Sequence, residues 1–362
     1  MQTLTILGST GSIGQQTLAV LRRYPHKFRV LGLANHSNHQ LLTRQIREFT
    51  PRFVATQAPV KLRRTKLCTL HELSQKKVDL VVNGISGSNG ILPTLTALEN
   101  GSNVALANKE ALVIAGPFLR RAARRRGTRL LPVDSEHAAL YQLLKNRPKT
   151  EIHQIILTAS GGALRNLPLS KLAKVTPAQV LRHPTWQMGA KITVDCSTLA
   201  NKAFEVIEAA ELFELPLAKI KVLLHPQSLV HALIELKTGE TLAAAATPDM
   251  RLPIGNALFN FATPPHPHLK FLDLTGKRLE FYPLKEKRYP LFHTILRAAK
   301  QGLYQRAIAT FAAETAVSKF LKQEIPYPAI PKFVVNALQK IPFQKATLKN
   351  ILNLKTEIKR RL

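Results

Sequence analysis

The chain has 362 residues, of which 45% are apolar and 6% aromatic, enough to bury two or three cores of ordinary domain size. Its 52 Lys and Arg against 22 Asp and Glu leave a formal net charge of +30. The basic residues sit in scattered clusters with few aromatics, among them Lys61/Arg63/Arg64/Lys66, Arg120/Arg121/Arg124/Arg125/Arg126 and Lys359/Arg360/Arg361, which argues against a nucleic-acid protein and fits either a positive field that draws in small polyanions or a basic surface with no role of its own.

No stretch reaches the roughly 18 consecutive apolar residues of a membrane span, and Met1 to Leu7 runs into an apolar segment without a targeting pattern, so a cytoplasmic protein with no membrane partner is expected. Cys68 and Cys196 form neither a C-x-x-C nor a paired framework and are expected as reduced thiols.

In chain order, Leu4-Thr5-Ile6-Leu7 reads as a buried strand, followed at once by Gly8-Ser9-Thr10-Gly11-Ser12-Ile13-Gly14 and a helix with apolar Leu18, Val20 and Leu21. Glycines at the first, fourth and seventh positions allow a tight turn, a close approach to a pyrophosphate and tight helix packing. The helix N-terminus adds donors and partial positive charge, so the segment predicts a dinucleotide site. A second strand, Phe28 to Leu33, ends in Ala34-Asn35-His36-Ser37-Asn38-His39, where a cofactor lacking a 2′-phosphate would meet an acid. None is present, which favours NADP over NAD. Further strands are expected at Phe53 to Thr56, Val78 to Asn83, Val104 to Ala107 and Leu130 to Val133, with helices between them. The alternation predicts a Rossmann-like, doubly wound parallel sheet.

Asn108-Lys109-Glu110 closes the Val104 strand at the carboxyl edge. Lys109 there is either a ligand-facing cation or an ordinary first-turn residue. Asp134-Ser135-Glu136-His137 follows the Leu130 strand, and two carboxylates one residue apart at a strand end are a candidate site for a divalent metal. A strand at Gln154 to Leu157 opens into Thr158-Ala159-Ser160-Gly161-Gly162, whose amides and hydroxyls suit an oxyanion. The Pro-rich stretch up to Lys191 includes His183-Pro184-Thr185-Trp186-Gln187-Met188-Gly189, read either as a lid that excludes water or as a loop anchored by its tryptophan. Asn201, Lys202 and Glu205 share one helical face by their spacings of four and three. That face is either solvated or, with Asp134 and Glu136, the third part of an all-oxygen site suited to Mg²⁺ or Mn²⁺. Asp249 and Arg251 are expected to make structural hydrogen bonds, and His266 and His268 to lie in a surface loop.

Eight segments in register, GSTGSIG (8 to 14), ANKE (107 to 110), PVDSEH (132 to 137), SGG (160 to 162), HPTWQMG (183 to 189), NKAFE (201 to 205), HPQS (225 to 228) and PDMR (248 to 251), resemble the 1-deoxy-D-xylulose 5-phosphate reductoisomerase family. The likeness extends more weakly through Arg288-Tyr289-Pro290. It implies an NADPH-dependent enzyme that rearranges a sugar phosphate and reduces the product to 2-C-methyl-D-erythritol 4-phosphate, as a homodimer built through its central domain. It also implies a cation on Asp134, Glu136 and Glu205, with Lys109 against a substrate oxygen. Ser135, Ser160, His183, Trp186, Cys196, Asn201 and Lys202 match substrate-binding positions; Thr10, Gly11, Ser12, Ile13, Asn38, Asn108, Glu110 and Gly189 match NADPH contacts.

Four departures stand out, one being Ala203-Phe204 in place of the common Gly-Leu within the helix that carries Glu205. Cys196 replaces a usual serine at a phosphate contact, the stretch 36 to 38 lacks a lysine, and Ala313 takes a usual asparagine position near a shortened C-terminus whose last segment reads as a basic amphipathic helix. Two other readings carry their own features: a semialdehyde-type NADP dehydrogenase with Cys196 as nucleophile, and a basic relative without turnover. The expected division is residues 1–147 for the cofactor, 148–275 for catalysis and dimerisation with a flexible lid, 276–290 as linker and 291–362 as a helical domain.

Overall fold

The computed structural model of the chain describes residues 1–57, 60, 65–186, 188–262 and 269–362. Lys61, Arg63 and Arg64 of the first basic cluster, Gln187 of the tryptophan loop and the His266/His268 pair lie outside the described residues.

The chain opens with β1 (Gln2–Leu7), α1 (Ser12–Leu21), β2 (Phe28–Ala34), α2 (His39–Phe49), β3 (Phe53–Ala55), β4 (Lys66–Cys68) and α3 (Leu70–Ser74). It continues with β5 (Leu80–Asn83), α4 (Ile91–Glu99), β6 (Asn103–Leu106), α5 (Lys109–Arg126), β7 (Leu130–Pro132) and α6 (Ser135–Leu144). Next come β8 (Ile152–Ala159), α7 (Pro177–Val180), α8 (Ala190–Ser197), α9 (Ala200–Phe213), β9 (Ile220–Leu224), β10 (Val230–Leu236), β11 (Thr241–Ala245) and α10 (Arg251–Leu258). The last are β12 (Tyr282–Pro283), α11 (Pro290–Lys300), α12 (Leu303–Leu321), α13 (Ala329–Lys340) and α14 (Leu348–Arg361).

A first unit comprises Met1–Ala111, Gly116–Ala138 and Asp249–Lys270. Its seven strands are all parallel in the order β4-β3-β2-β1-β5-β6-β7, the doubly wound arrangement expected. Central β1 buries Leu4, Ile6 and Leu7 completely, and β5 is buried along its length, as parallel strands covered on both faces must be. β4 escapes the sequence reading because it is a three-residue edge strand with two exposed positions.

The sequence-based boundary at 275 places Asp249–Lys270 with the central domain, whereas this segment packs with the parallel sheet. α10 lies on α1, and Phe259 stands edge-on to Tyr24 and Phe28 at 4.8 and 5.1 Å, an aromatic cluster that ties the late segment to the first unit. Asp249 and Arg251 hold each other through paired hydrogen bonds, as expected of a structural pair.

The second unit comprises Leu112–Ala115, Ala139–Pro248 and Phe271–Leu362. Its mixed five-stranded sheet runs β11-β10-β8-β9-β12, with β8 and β9 parallel and the other pairs antiparallel. The C-terminal helices gather around α12, which buries residues on every side and presents Ala307, Ala309, Ala312, Ala313 and Ala316 at no exposure, so α11, α13 and α14 approach closely. The last helix is amphipathic as expected, burying Ile351, Leu354 and Ile358 and leaving its Lys359-Arg360-Arg361 end largely in solvent.

Candidate active site

In the first unit the glycine loop is held from behind. The Ser9 hydroxyl donates to Gln45 Oε1 at 2.8 Å and Gln45 Nε2 donates back to the Ser9 carbonyl at 2.9 Å, both fully interior. Gly14 admits no side chain, because a Cβ there would lie 2.4 Å from the Gly8 carbonyl oxygen and from Ser9 Cα. This is the close helix-to-loop approach that the third glycine of such a loop allows. Thr10 and Gly11 remain in the loop, and Ser12 and Ile13 open α1. Asn38 caps α2 by accepting from the Leu41 amide at 3.1 Å. Of the expected cofactor residues, it is thus committed to a helix end worth about 1 kcal/mol.

Asn108 is committed in the same way. Its Oδ1 accepts from the Ala111 amide at 2.7 Å to cap α5, and its Nδ2 donates to the carbonyls of Ile85 and Gly87. Asn83, at the end of β5, donates to Gly90 and Thr94 and accepts from Ile85, so two asparagines shape the 84–90 loop beside the carboxyl edge. Lys109 and Glu110 fill the first turn of α5, both buried. The helix kinks at Ala115, two residues before Pro117, which has no amide to give and crowds the preceding turn.

That cap aims Lys109 at Asp134. The Nζ to Oδ2 distance is 2.7 Å, with side chains only 6% and 14% exposed, and His137 Nδ1 lies 3.4 Å from the same oxygen. Burial pushes the Asp134 carboxyl up, but the Lys109 ammonium and then the His137 imidazole outweigh it and hold the group well below the usual carboxylate range. Ser135 donates to Glu136 at 2.5 Å, and Asp134 and Glu136 offer carboxylate oxygens within 4.8 Å of one another. Two hard oxygen donors, one of them kept ionised by its neighbours, fit a small divalent cation. Lys109 is therefore more than an ordinary first-turn residue.

In the second unit Asn201, Lys202 and Glu205 are buried, which removes the solvated-face alternative. Asn201 Nδ2 donates to Glu205 Oε1 at 2.5 Å and Lys202 pairs with Oε2. Leu199, just before α9, sits in the left-handed region at φ 55, a costly conformation for a branched side chain that turns the chain sharply between α8 and α9. Gly189 precedes α8 with open space around it, and Cys196 lies near that helix's end.

The Ser160-Gly161-Gly162 turn lies against this corner. Gly162 has φ +70, and a Cβ there would meet Ser197 Cα at 2.5 Å and the Cys196 carbonyl at 2.8 Å. Ser160 Oγ is 3.0 Å from His183 Nε2, while His183 Nδ1 accepts from the Trp186 amide at 3.0 Å. Burial, and then the nearby Arg165 charge, push His183 down to about 4, so it is neutral at neutral pH. The Trp186 ring stands 6.3 Å from that of His231.

Three residues around this turn were not singled out as site residues. Arg165 donates to the Ser160 carbonyl at 3.2 Å, the Tyr289 hydroxyl to Gly161 at 3.2 Å, and Arg288 to Leu164 and Arg165 at 2.9 Å each and to Leu167. The only sequence signal was the weak Arg288-Tyr289-Pro290 likeness.

A glycine-loop parallel sheet with an ion-paired lysine and two carboxylates on its carboxyl edge, joined in one chain to a mixed sheet carrying a buried amide, ammonium and carboxylate, defines a dinucleotide-dependent α/β oxidoreductase. Models of 1-deoxy-D-xylulose 5-phosphate reductoisomerase match residues 4–116, of its C-terminal domain residues 130–213, and of the DXP reductoisomerase C-terminal domain residues 245–361. Curated reductoisomerases of Gloeobacter violaceus and Caldanaerobacter subterraneus are 42% and 40% identical, over 94% and 100% of this chain and 91% and 98% of their own. A crystal structure of DOX-P reductoisomerase with NADPH, fosmidomycin and magnesium superposes with a TM-score of 0.93 at 30% identity, over 99% of this chain and 97% of the other. The Zymomonas mobilis reductoisomerase with NADPH gives 0.90 at 33%, with the same coverage. The chain belongs to the 1-deoxy-D-xylulose 5-phosphate reductoisomerase family. Neither the semialdehyde-dehydrogenase reading nor the non-catalytic one draws support from these matches.

Proposed function

We propose that this chain converts 1-deoxy-D-xylulose 5-phosphate to 2-C-methyl-D-erythritol 4-phosphate, using NADPH and a divalent cation, Mg²⁺ or Mn²⁺, in non-mevalonate isoprenoid precursor synthesis. The observation that carries this reading is the Lys109–Asp134 pair beside Glu136 on the carboxyl edge of the parallel sheet, in a chain that matches the family along its length.

Asp134, Glu136 and Glu205 would hold the cation. When bound, it supplies positive charge to adjacent substrate oxygens as a carbon–carbon bond breaks and re-forms. Lys109 keeps Asp134 ionised and reaches a substrate oxygen. Asn201 and Lys202 orient the Glu205 carboxylate and, with Ser135, Ser160, His183 and Cys196, bind the sugar phosphate. Trp186 covers the carbon skeleton and excludes water. Thr10, Gly11, Ser12, Ile13, Asn38, Asn108, Glu110 and Gly189 line the NADPH site, Asn38 and Asn108 through the loops they cap.

We assign residues 1–147, with the Asp249–Lys270 segment that packs with their sheet, to the cofactor unit, the rest of 148–275 to catalysis and dimerisation, 276–290 to a linker and 291–362 to support. A homodimer through the central segment is supported by family resemblance and by β11, an edge strand with alternating exposed residues. Among the described residues no helix is long and apolar enough to cross a membrane. Cys68 and Cys196, neither of them in a disulfide, support a cytoplasmic location.

The test follows NADPH absorbance with 1-deoxy-D-xylulose 5-phosphate, with and without Mn²⁺. Oxidation that needs both substrate and metal is expected; oxidation indifferent to a chelator, or none at all, would overturn the assignment.

A further inference from the structure

We propose that Asn35 determines how the chain tells NADPH from NADH: its side-chain amide donates to the 2′-phosphate, in a protein whose 36 to 38 stretch carries no lysine for that task. The inference rests on the reductoisomerase reading for the identity of the cofactor, but the observation behind it belongs to the chain alone.

Asn35 is the first residue past β2, about twenty residues after the glycine loop, where a doubly wound fold that binds NAD sets an acid against the ribose 2′-hydroxyl. Its backbone is fixed on both sides. The Asn35 amide donates to the Ala55 carbonyl at 3.0 Å, one step past the last β2–β3 pair of Ala34 with Ala55. The Ala34 carbonyl accepts from the amides of Gly8 and Ser9 at 2.9 and 2.8 Å, so the glycine loop is clamped to the residue just before it.

The side chain, by contrast, is left over. Both Oδ1 and Nδ2 of Asn35 are shielded from water and have no hydrogen-bond partner among the described residues. A buried amide in that state weakens the free protein, and a ligand that brings a partner recovers the loss. The polar neighbours are already engaged: Asn38 Oδ1 accepts from Leu41, and the Ser9 hydroxyl and Gln45 hold each other. His36, Ser37 and His39 are exposed, so Asn35 is the polar side chain of this turn held out of water.

No acid stands between Asn35 and Arg47, and Glu48, which follows, is at the far end of α2 in a pair with Arg22. A carboxylate at position 35 would repel a phosphate dianion and accept from a 2′-hydroxyl instead. An amide presents Nδ2 to an oxygen that only accepts, and a bond to a charged group of this kind is worth about tenfold or more in affinity.

The experiment measures binding to the full-length wild type, Asn35→Ala and Asn35→Asp in the absence of substrate and metal. NADPH and NADH are followed by cofactor fluorescence, adenosine 2′,5′-bisphosphate and AMP by calorimetry, with urea midpoints as the folding control. Asn35→Ala should weaken NADPH and the bisphosphate about tenfold and leave NADH and AMP within about threefold of wild type. Asn35→Asp, which keeps the shape of the side chain, should weaken NADPH at least about a hundredfold and bind NADH no more weakly than wild type. Equal losses for the ligands with and without the 2′-phosphate would overturn the proposal, as would unchanged NADPH affinity in both variants. A selective loss in a protein that fails to turn over 1-deoxy-D-xylulose 5-phosphate would refute the functional reading and leave this inference standing; turnover with losses equal for NADPH and NADH would do the reverse.

Discussion

Glu205→Gln exchanges one carboxylate oxygen for an amide group at constant shape, and so isolates the charge. In α9 that charge is neutralised locally: Oε1 accepts from Asn201 at 2.5 Å and Oε2 pairs with Lys202, whose side chain is 4% exposed against 1% for Glu205. Removing one member of such a pair strands the other, a loss of about 3–5 kcal/mol for a buried ion pair. The metal-free variant should therefore show an earlier urea midpoint, with the slope unchanged. Turnover should fall by at least about 10²–10³-fold, as when one electrostatic stabiliser of an active site is removed. Mn²⁺ affinity should drop with it, while NADPH binding survives because the glycine loop belongs to the other unit. Three measurements check this: the urea transition without metal, Mn²⁺ binding followed by electron paramagnetic resonance, and NADPH binding by fluorescence. Unchanged Mn²⁺ affinity together with unchanged metal-dependent turnover would refute the placement of Glu205 among the ligands.

Cys196→Ser restores a hydroxyl where the thiol is the weaker donor; the KM for the sugar phosphate should fall by about threefold to tenfold with kcat little changed, measured by steady-state NADPH oxidation. Gly162→Ala should cost at least about 2–3 kcal/mol in chemical denaturation, since its Cβ would press on the backbone of Ser197 at 2.5 Å from a left-handed φ, whereas Gly189→Ala, with nothing within 4 Å, should stay within about 0.5 kcal/mol. His183 titrates at about 4 in the folded chain, below its ordinary value near 6.5, so the unfolded chain takes up the proton first. Stability should accordingly fall as pH drops from about 6.5 to about 4, and His183→Gln should flatten that limb in urea midpoints recorded across the window.

Much of the fold is written in short-range patterns. The strand, glycine loop and helix at residues 4 to 21, the strand ends that carry Lys109 and Asp134, and the face shared by Asn201, Lys202 and Glu205 are each readable because backbone dihedrals and helical periodicity act over only a few residues. The same short range explains the misses. β4 is too brief and too exposed to leave an alternation, and nothing near Asp249–Lys270 announces that Phe259 will pack against Tyr24 and Phe28.

The site divides along the same line. Residue types and spacings were enough to nominate the carboxylates, the glycine loop and the serine turn, and the resemblance they carry reached the family. They left open whether the 201–205 face is wet or buried, whether Lys109 has a partner, and what holds the Ser160 turn. Folding answers these by bringing together groups far apart in sequence: Arg288 and Tyr289 reach back more than a hundred residues to the carbonyls of 161–167, and Asp134 meets Lys109 across two neighbouring strand ends. Such pairings depend on how sheets and helices stack, because a buried polar group is stable only when packing delivers its partner, and the local sequence carries no record of which partner arrives.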